Sequence, residues 1–334
     1  MAGILSVPPV DRFPGVSSLR PVSGDADGIR ALLTAWEAAV DEPEPLVIAT
    51  SGSTGEPKRV VLSRRAMRAS ADATHARLGG PGEWELNLPP TYVAGVQVLY
   101  RTIRGGSSAR RYVSLVPTQL VRSRAEWASL CAYDAVLVGG GPLDPDVRAE
   151  AEDAGVPVVQ TYGMSETCGG CVYDGVPLDG VEVRIAEDGQ VLLRGPMLFD
   201  GYQDEPERTA AAFRDGWLVT NDLGHWAEDG RLKVDARLDD LINSGGVKVP
   251  PQAVEQMLAR RFGAEVAVVG VPDEEWGQRV VAILARRDVS LSDVREAVEP
   301  RTWAPRALVA VDALPRLENG KPDRVALTRM AADA

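Results

Sequence analysis

The sequence has no basic excess. Its 48 acidic side chains outnumber 36 basic ones, for a net charge of −12 over 334 residues. A general nucleic-acid binder needs the opposite balance to neutralise phosphates, so that class is excluded. The same sign disfavours adhesion to an acidic membrane surface. No run of about 18 apolar residues occurs, so no helical membrane span is expected. Met1–Pro9 lacks a basic n-region and has too short an apolar stretch for a signal peptide. Cysteine is scarce: an odd count of 3 makes no disulfide framework. Histidine is scarcer still, with only His75 and His225. Cys168-Gly169-Gly170-Cys171 therefore lacks the second ligand pair that a zinc site wants. A thioredoxin-like pair would open a helix in a small βαβ domain, so these cysteines read as two small thiols in a tight glycine turn. Together the absences point to a reduced, cytoplasmic chain. Any anionic ligand would need a locally basic site.

What is present is a globular composition, 45% apolar and 25% charged, long enough for two domains. From residue 25 to 175, apolar runs alternate with helical patterns. Strands are expected at Leu46–Ala49, Trp84–Leu88, Arg111–Leu115, Ala135–Val138 and Val156–Gln160. Helices are expected at Gly28–Val40, Arg64–Leu78, Gly95–Ile103 and Asp144–Asp153. Such alternation implies an α/β layered domain with a mostly parallel sheet. Beyond Tyr173 the pattern changes to a hairpin, Val181–Ile185 and Val191–Arg194 around Asp188-Gly189. Short strands Trp217–Thr220 and Arg231–Val234 follow, giving a small antiparallel β unit. The polar stretch Asp235–Asp240 then interrupts the apolar pattern. Past it the order is helix, strand, strand, helix, strand, enough for a small independent α+β core. The expected division is an N-terminal domain 1–235, a hinge 236–240 and a C-terminal domain 241–334.

Thr50-Ser51-Gly52-Ser53-Thr54-Gly55-Glu56-Pro57-Lys58 follows the strand Leu46–Ala49. Gly52 and Gly55 let the backbone turn and approach a ligand closely. Successive backbone N–H groups make an anion nest, and Ser51, Ser53 and Thr54 add neutral donors. Lys58 adds a mobile point charge. The segment fits a loop that wraps a polyphosphate. It is not a Walker A loop, which needs Lys then Ser/Thr after its second glycine.

Thr50–Lys58 resembles the phosphate loop of the acyl-adenylate-forming superfamily. Thr161-Tyr162-Gly163-Met164-Ser165-Glu166 is similar to its Tyr-Gly-x-Thr-Glu motif, with Ser165 for Thr. Thr220-Asn221-Asp222 resembles Thr-Gly-Asp, with Asn221 for Gly. Asp235–Asp240 followed by Ser244-Gly245-Gly246 resembles the hinge motif. Pro315–Lys321 resembles the C-terminal catalytic-lysine motif. Taken singly, each residue has an ordinary explanation: a half-buried tyrosine, a solvated carboxylate, a surface ion pair at Arg237, a turn lysine. Their order from 50 to 321 is far more specific than any one of them.

The resemblance implies a large N-terminal domain and a small, mobile C-terminal one. It implies attack of a carboxylate on the α-phosphate of ATP, giving an acyl-AMP, then a thioester. Lys58 with Ser51–Gly55 would hold the outer phosphates. Glu166 and Thr54 would bind Mg²⁺, a hard cation that prefers oxygen ligands. Tyr162 would offer its ring to adenine, with Thr161, Gly163, Met164 and Ser165 beside it. Gly139, Gly140, Gly141 and Pro142 would line the adenine and acyl pockets. Asp222 would accept from the ribose hydroxyls, with Arg237 as its neighbour. Lys321 would lie between the acyl carboxylate and the α-phosphate. Asp239 matches the hinge position, and Gly245-Gly246 the face used in the thiolation step.

The compact form, with Gly139–Leu143 and Gln160–Gly170, most resembles the o-succinylbenzoate–CoA ligases of menaquinone biosynthesis. The implied co-substrate is coenzyme A. The alternatives are another aryl- or acyl-CoA ligase, or a stand-alone adenylation enzyme that loads a carrier protein. A nucleotide binder without turnover is disfavoured by Lys321, Glu166 and Asp222 occurring together. One departure falls at Tyr92, near which the family often carries an aromatic residue or histidine; no imidazole is available there. Between Leu86 and Ala125 there is no acidic residue, while Arg101, Arg104, Arg110, Arg111, Arg122 and Arg124 all occur. The window reads either as a basic face for an anionic group of the substrates or as a solvated surface.

Overall fold

Runs of β-branched residues set between amphipathic stretches become a layered structure. The computed structural model describes residues 20–50, 58–106, 108–317 and 322–332. The chain divides into two compact units. One takes the described residues through Ala186 with Val191–Thr220 and Glu228–Arg231; the other takes Glu187–Gln190, Asn221–Ala227 and those from Leu232 onward.

The first unit is built around a six-stranded sheet. Its order is Glu83–Glu85, Arg111–Leu115, Ala135–Val138, Val158–Met164, Gly169–Tyr173, Val176–Pro177. The first four strands are parallel and the last two antiparallel. All residues of Ala135–Val138 are buried, as a strand covered on both faces requires. Side chains alternate across the sheet. Val136 and Val138 join Leu120, Trp127 and Val156 on one face. Ala135 and Leu137 join Trp84, Val98 and Tyr173 on the other. Helix Pro145–Asp153 opens at Asp144, whose carboxylate accepts from the Asp146 N–H at 2.8 Å. Helix Arg64–Arg77 opens at Ser63 in the same manner.

A second sheet has four strands in the order Arg20–Pro21, Leu46–Ala49, Arg59–Leu62, Gly201–Tyr202. Leu46–Ala49 pairs antiparallel with Arg59–Leu62, so these strands flank the glycine-rich segment. The anticipated hairpin forms from Glu182–Ile185 and Gln190–Arg194, with Gly189 at φ +84° in the turn. Trp217–Trp226 runs longer than expected and passes from the first unit into the second at Asn221. Its partner Leu232–Arg237 extends into the polar stretch that the sequence reading treated as a break. Buried Ala236 between exposed Asp235 and half-buried Arg237 explains why the strand continues there.

In the second unit, the expected helix–strand–strand–helix–strand order holds, as Pro251–Phe262, Val266–Asp273, Gly277–Leu284, Leu291–Glu296 and Ala307–Ala310. A hairpin, Ile242–Ser244 and Val247–Val249, joins the same sheet. Val268, Val280 and Ala282 pack with Val254, Leu258 and Val294 on one face. Val269, Val281 and Ile283 pack with Leu327 and Ala331 on the other. Leu327 and Ala331 belong to helix Arg324–Ala332, which the sequence reading missed. Arg324 anchors it by donating to the Val268 carbonyl at 2.7 Å and pairing with Glu255 at 2.9 Å.

Candidate active site

In the first unit, two segments meet at the carboxyl ends of neighbouring parallel strands, where open α/β sheets bind their ligands. Ala135–Val138 runs into Gly139-Gly140-Gly141-Pro142, and Val158–Met164 carries Thr161, Tyr162, Gly163 and Met164. A Cβ on Gly139 would stand 2.2 Å from Thr161 Oγ1, so glycine is required for this approach. Gly163 is confined more tightly: its Cβ would lie 2.1 Å from the Gly169 carbonyl oxygen. Gly140 has φ +78° and is exposed with Gly141 and Pro142. A turn of 3₁₀ helix, Ser165–Thr167, follows the strand. Buried Thr167 accepts from the Met164 N–H at 2.9 Å and donates to the Gly169 carbonyl at 2.7 Å. That clamp fixes the backbone under Glu166.

Glu166 has a partner that the sequence reading missed. The Tyr202 hydroxyl donates to Glu166 Oε1 at 2.7 Å. The Phe199 N–H donates to the Glu166 carbonyl at 2.9 Å, tying the two segments by their backbones as well. Lys58 Nζ stands 5.6 Å from the centre of the Tyr202 ring. Strand register explains this. Tyr202 lies opposite Val60 in an antiparallel pair. The Thr50 N–H donates to the Lys58 carbonyl at 2.8 Å, so the ladder reaches Lys58. Lys58 is then the diagonal neighbour of Tyr202 on one face, within reach of an aromatic and a long side chain. Burial, then the Glu166 carboxylate, push the Tyr202 hydroxyl well above its ordinary pKa, so it stays a donor. The available sequence signal was weak: Gly201-Tyr202 after the apolar run Met197–Phe199.

Glu166 suits a hard cation. It is half-buried, one carboxylate oxygen is engaged by a neutral donor, and Arg208 acts on it only through its charge, with Glu205 as that arginine's hydrogen-bonded partner. Among those residues no group of three or more His, Cys, Asp or Glu could cage a metal. A cation there would need phosphate oxygens as further ligands, which is magnesium's habit.

The second unit holds its own cluster. Asp222 and Arg237 are cross-strand partners, with Asp222 buried and its Oδ1 3.7 Å from Arg237 Nη1. Arg237 also donates to Asp239 through Nε at 2.9 Å and Nη2 at 2.8 Å. Asn221 Nδ2 reaches Asp239 at 3.4 Å. The hydrogen bond to Asp239, with the charges of Asp222 and Asp240, raises the Arg237 pKa despite burial. Burial alone would raise Asp239, but the bonds and charge of Arg237 hold it below the usual carboxylate range. Gly245 and Gly246 form the turn of the hairpin at φ +58° and +79°. A Cβ on Gly245 would stand 2.6 Å from the Trp276 ring.

The structure thus brings Gly139 against Thr161, links Glu166 with Lys58 through Tyr202, and gathers Asp222, Arg237 and Asp239. Ser51, Gly52, Ser53, Thr54, Gly55 and Lys321 lie outside the described residues. Of the two readings of the acid-free window, the structure favours the solvated surface over the basic face, because acids distant in sequence neutralise several of its arginines. Arg104 pairs with Glu37 and Asp72, Arg110 with Asp134, and Arg124 with Glu150. Arg101 is buried against Trp84, and Arg111 covers the Tyr133 ring. Cys168 and Cys171 are both buried; Cys168 ends the 3₁₀ turn at positive φ, but Gly169, Gly170 and Cys171 belong to strand Gly169–Tyr173, so the expected tight glycine turn is a strand start instead.

Comparison with known proteins adds the following. A family model described as the AMP-binding enzyme C-terminal domain matches residues 253–321. A probable 2-succinylbenzoate–CoA ligase of Mycobacterium tuberculosis is 41% identical, over 88% of this chain and 86% of its own length. Among solved structures, o-succinylbenzoate CoA synthetase from Bacillus subtilis, in complex with its acyl-adenylate intermediate, matches with a TM-score of 0.74. It is 28% identical over 84% of this chain and 68% of that one. The same enzyme in complex with ATP and magnesium ion also matches at 0.74 and 28% identity, over 84% of this chain and 69% of that one.

Proposed function

Since the chain belongs to the 2-succinylbenzoate–CoA ligase family of AMP-binding enzymes, we propose that it activates o-succinylbenzoate with ATP and transfers the acyl group to coenzyme A. It is an AMP-forming acid–CoA ligase. The product would serve menaquinone biosynthesis. The substrates are small molecules, and neither a nucleic acid nor a membrane is part of the reading. No helix among the described residues is long and apolar enough to cross a membrane. A cytoplasmic setting fits ATP and coenzyme A as substrates.

A carboxylate is a poor acyl donor because its leaving group would be oxide. In the first step a carboxylate oxygen attacks the α-phosphorus of ATP. The bond between the α- and β-phosphates breaks, and pyrophosphate leaves with the electron pair. In the second, the thiolate of coenzyme A attacks the acyl carbon and AMP departs. Two anions must meet in the first step, so the site has to supply positive charge where negative charge accumulates. A magnesium ion bound with ATP supplies part of that charge.

The residue roles follow from that need. Lys58 and the backbone of Ser51–Gly55 hold the outer phosphates. Glu166, with Thr54, binds the cation. Tyr162 and Gly139–Pro142 line the adenine and acyl ends, with Thr161, Gly163, Met164 and Ser165 shaping the same segment. Asp222 accepts from the ribose hydroxyls beside Arg237. Lys321 offsets charge at the acyl carboxylate and α-phosphate. Asp239 is the hinge of a domain rotation between the steps, and Gly245-Gly246 faces the thiol in the second. The observation that best supports these roles is the gathering of Glu166 and Lys58 around one tyrosine, just past the end of strand Val158–Met164.

A panel of aryl and aliphatic acids with ATP, Mg²⁺ and coenzyme A, followed by AMP release, tests the reading. o-Succinylbenzoate should be turned over best, with AMP release strictly dependent on the acid. Preference for a fatty acid or simple benzoate would contradict the substrate. Acyl transfer to a carrier protein but not to coenzyme A would favour the adenylation-enzyme alternative.

A further inference from the structure

We propose that Tyr202 is a positioning residue that keeps Glu166 and Lys58 apart and in working order, a role that rests on the ligase reading above. The two side chains carry opposite charges and both contact one tyrosine, Glu166 at its hydroxyl and Lys58 over its ring. The Tyr202 hydroxyl donates to Glu166 Oε1 at 2.7 Å, while Lys58 Nζ stands 5.6 Å from the ring centre. No salt bridge joins either side chain directly to a described residue, although the Arg208 and Glu166 charges are near enough to interact. Left to themselves in a partly dry site, an ammonium and a carboxylate would pair. That pairing would remove the charge each needs, one for phosphates and the other for a cation. Tyrosine prevents it on both sides. Its hydroxyl satisfies one carboxylate oxygen without adding charge, leaving the group anionic. Its ring face attracts the ammonium without neutralising it.

Tyr202 is itself held in place. Gly201 and Tyr202 pair with Val61 and Val60. The Tyr202 N–H donates to Thr209 Oγ1 at 2.8 Å. The Phe199 ring meets the Tyr202 ring edge-on at 5.0 Å and stacks on Phe213 at 5.5 Å. Arg208 lies 5.2 Å from the Tyr202 ring centre, but its carboxylate partner is Glu205. A Cβ on Gly201 would stand 2.7 Å from Thr209 Cγ2, so the strand cannot easily shift. The hydroxyl is therefore presented to Glu166 by rigid surroundings.

The test uses the full chain and Tyr202→Phe, which keeps the ring and removes the donor. Mn²⁺ binding in the presence of a non-hydrolysable ATP analogue, read by electron paramagnetic resonance, should weaken roughly tenfold, the loss expected for one hydrogen bond to a charged group. The Mg²⁺ concentration for half-maximal ATP–pyrophosphate exchange should rise in parallel, with the KM for the acid unchanged. High Mg²⁺ should restore the rate, which it would not do for a misfolded protein. In a Glu166→Gln background the same substitution should have no further effect on Mn²⁺ affinity. Unchanged Mn²⁺ affinity in Tyr202→Phe, or an equal loss in the Glu166→Gln background, would overturn the proposal. If the parental protein shows no acid-dependent exchange at all, it is the ligase reading that fails. If the parent exchanges normally and Tyr202→Phe matches it at every Mg²⁺ concentration, only the role of Tyr202 fails.

Discussion

Arg237 grips Asp239 with two hydrogen bonds, from Nε at 2.9 Å and from Nη2 at 2.8 Å, two residues along the chain. The pair closes the segment just after strand Leu232–Arg237 into a fixed turn, and Asn221 supports it from the neighbouring strand. Lysine cannot reproduce that two-pronged geometry. If Asp239 is the hinge, the turn must hold during adenylation and rearrange before thiolation.

Asp239→Ala releases the turn by removing the carboxylate that Arg237 holds. Single-turnover measurements should find acyl-AMP formation slowed roughly tenfold and acyl transfer from preformed acyl-AMP within about twofold of the parent. Equal slowing of the two steps would argue for a general structural role instead.

The thiols should sort by burial. Cys131 is exposed, while Cys168 and Cys171 are buried. Burial pushes the Cys171 thiol up to about 12 and the Cys168 thiol higher than its ordinary value. The thiolate is the reactive form, so neither should react in the folded protein. Ellman's reagent at pH 8 should titrate Cys131 alone, and all 3 cysteines only after denaturation. Rapid native labelling of the Cys168 and Cys171 pair would refute that assignment.

His75 should make stability depend on pH. It is buried, and Nε2 has no hydrogen-bond partner. Burial, with the charges of Arg101 and Arg104 opposed by Asp72, lowers its pKa from 6.5 to about 4. The unfolded chain therefore binds a proton that the folded chain refuses. Stability is whole above pH 6.5 and falls as the pH drops toward 4, by about 3 kcal/mol in all. Urea unfolding of His75→Leu between pH 4.5 and 7 should show a shallower decline than the parent. Equal slopes would contradict this.

Much of the fold was legible because period and composition are local. Ala135–Val138 and Arg111–Leu115 carry the apolar pattern of buried strands and were placed to the residue. Asp144 and Pro145 marked a helix start that the structure keeps. The motif carrying Glu166 was also visible, since Gly163 has to admit the Gly169 carbonyl and so must be glycine. What stayed hidden depends on pairing between distant segments. Tyr202 meets Glu166 across 36 positions and Lys58 only through strand register. The arginine window looked unbalanced because Glu37, which neutralises Arg104, lies 67 residues away. Helix Arg324–Ala332 was missed because its buried face is only Leu327 and Ala331, too few to show a period.

The central claim is that the acid's oxygen becomes part of AMP. The direct measurement uses o-succinylbenzoate carrying ¹⁸O in its carboxylates, with ATP, Mg²⁺ and coenzyme A, and analyses the phosphate products by mass spectrometry. The account predicts one ¹⁸O in each AMP and none in pyrophosphate. Label in inorganic phosphate, with ADP as the nucleotide product, would mean that the acid is activated at the γ-phosphate and would contradict it.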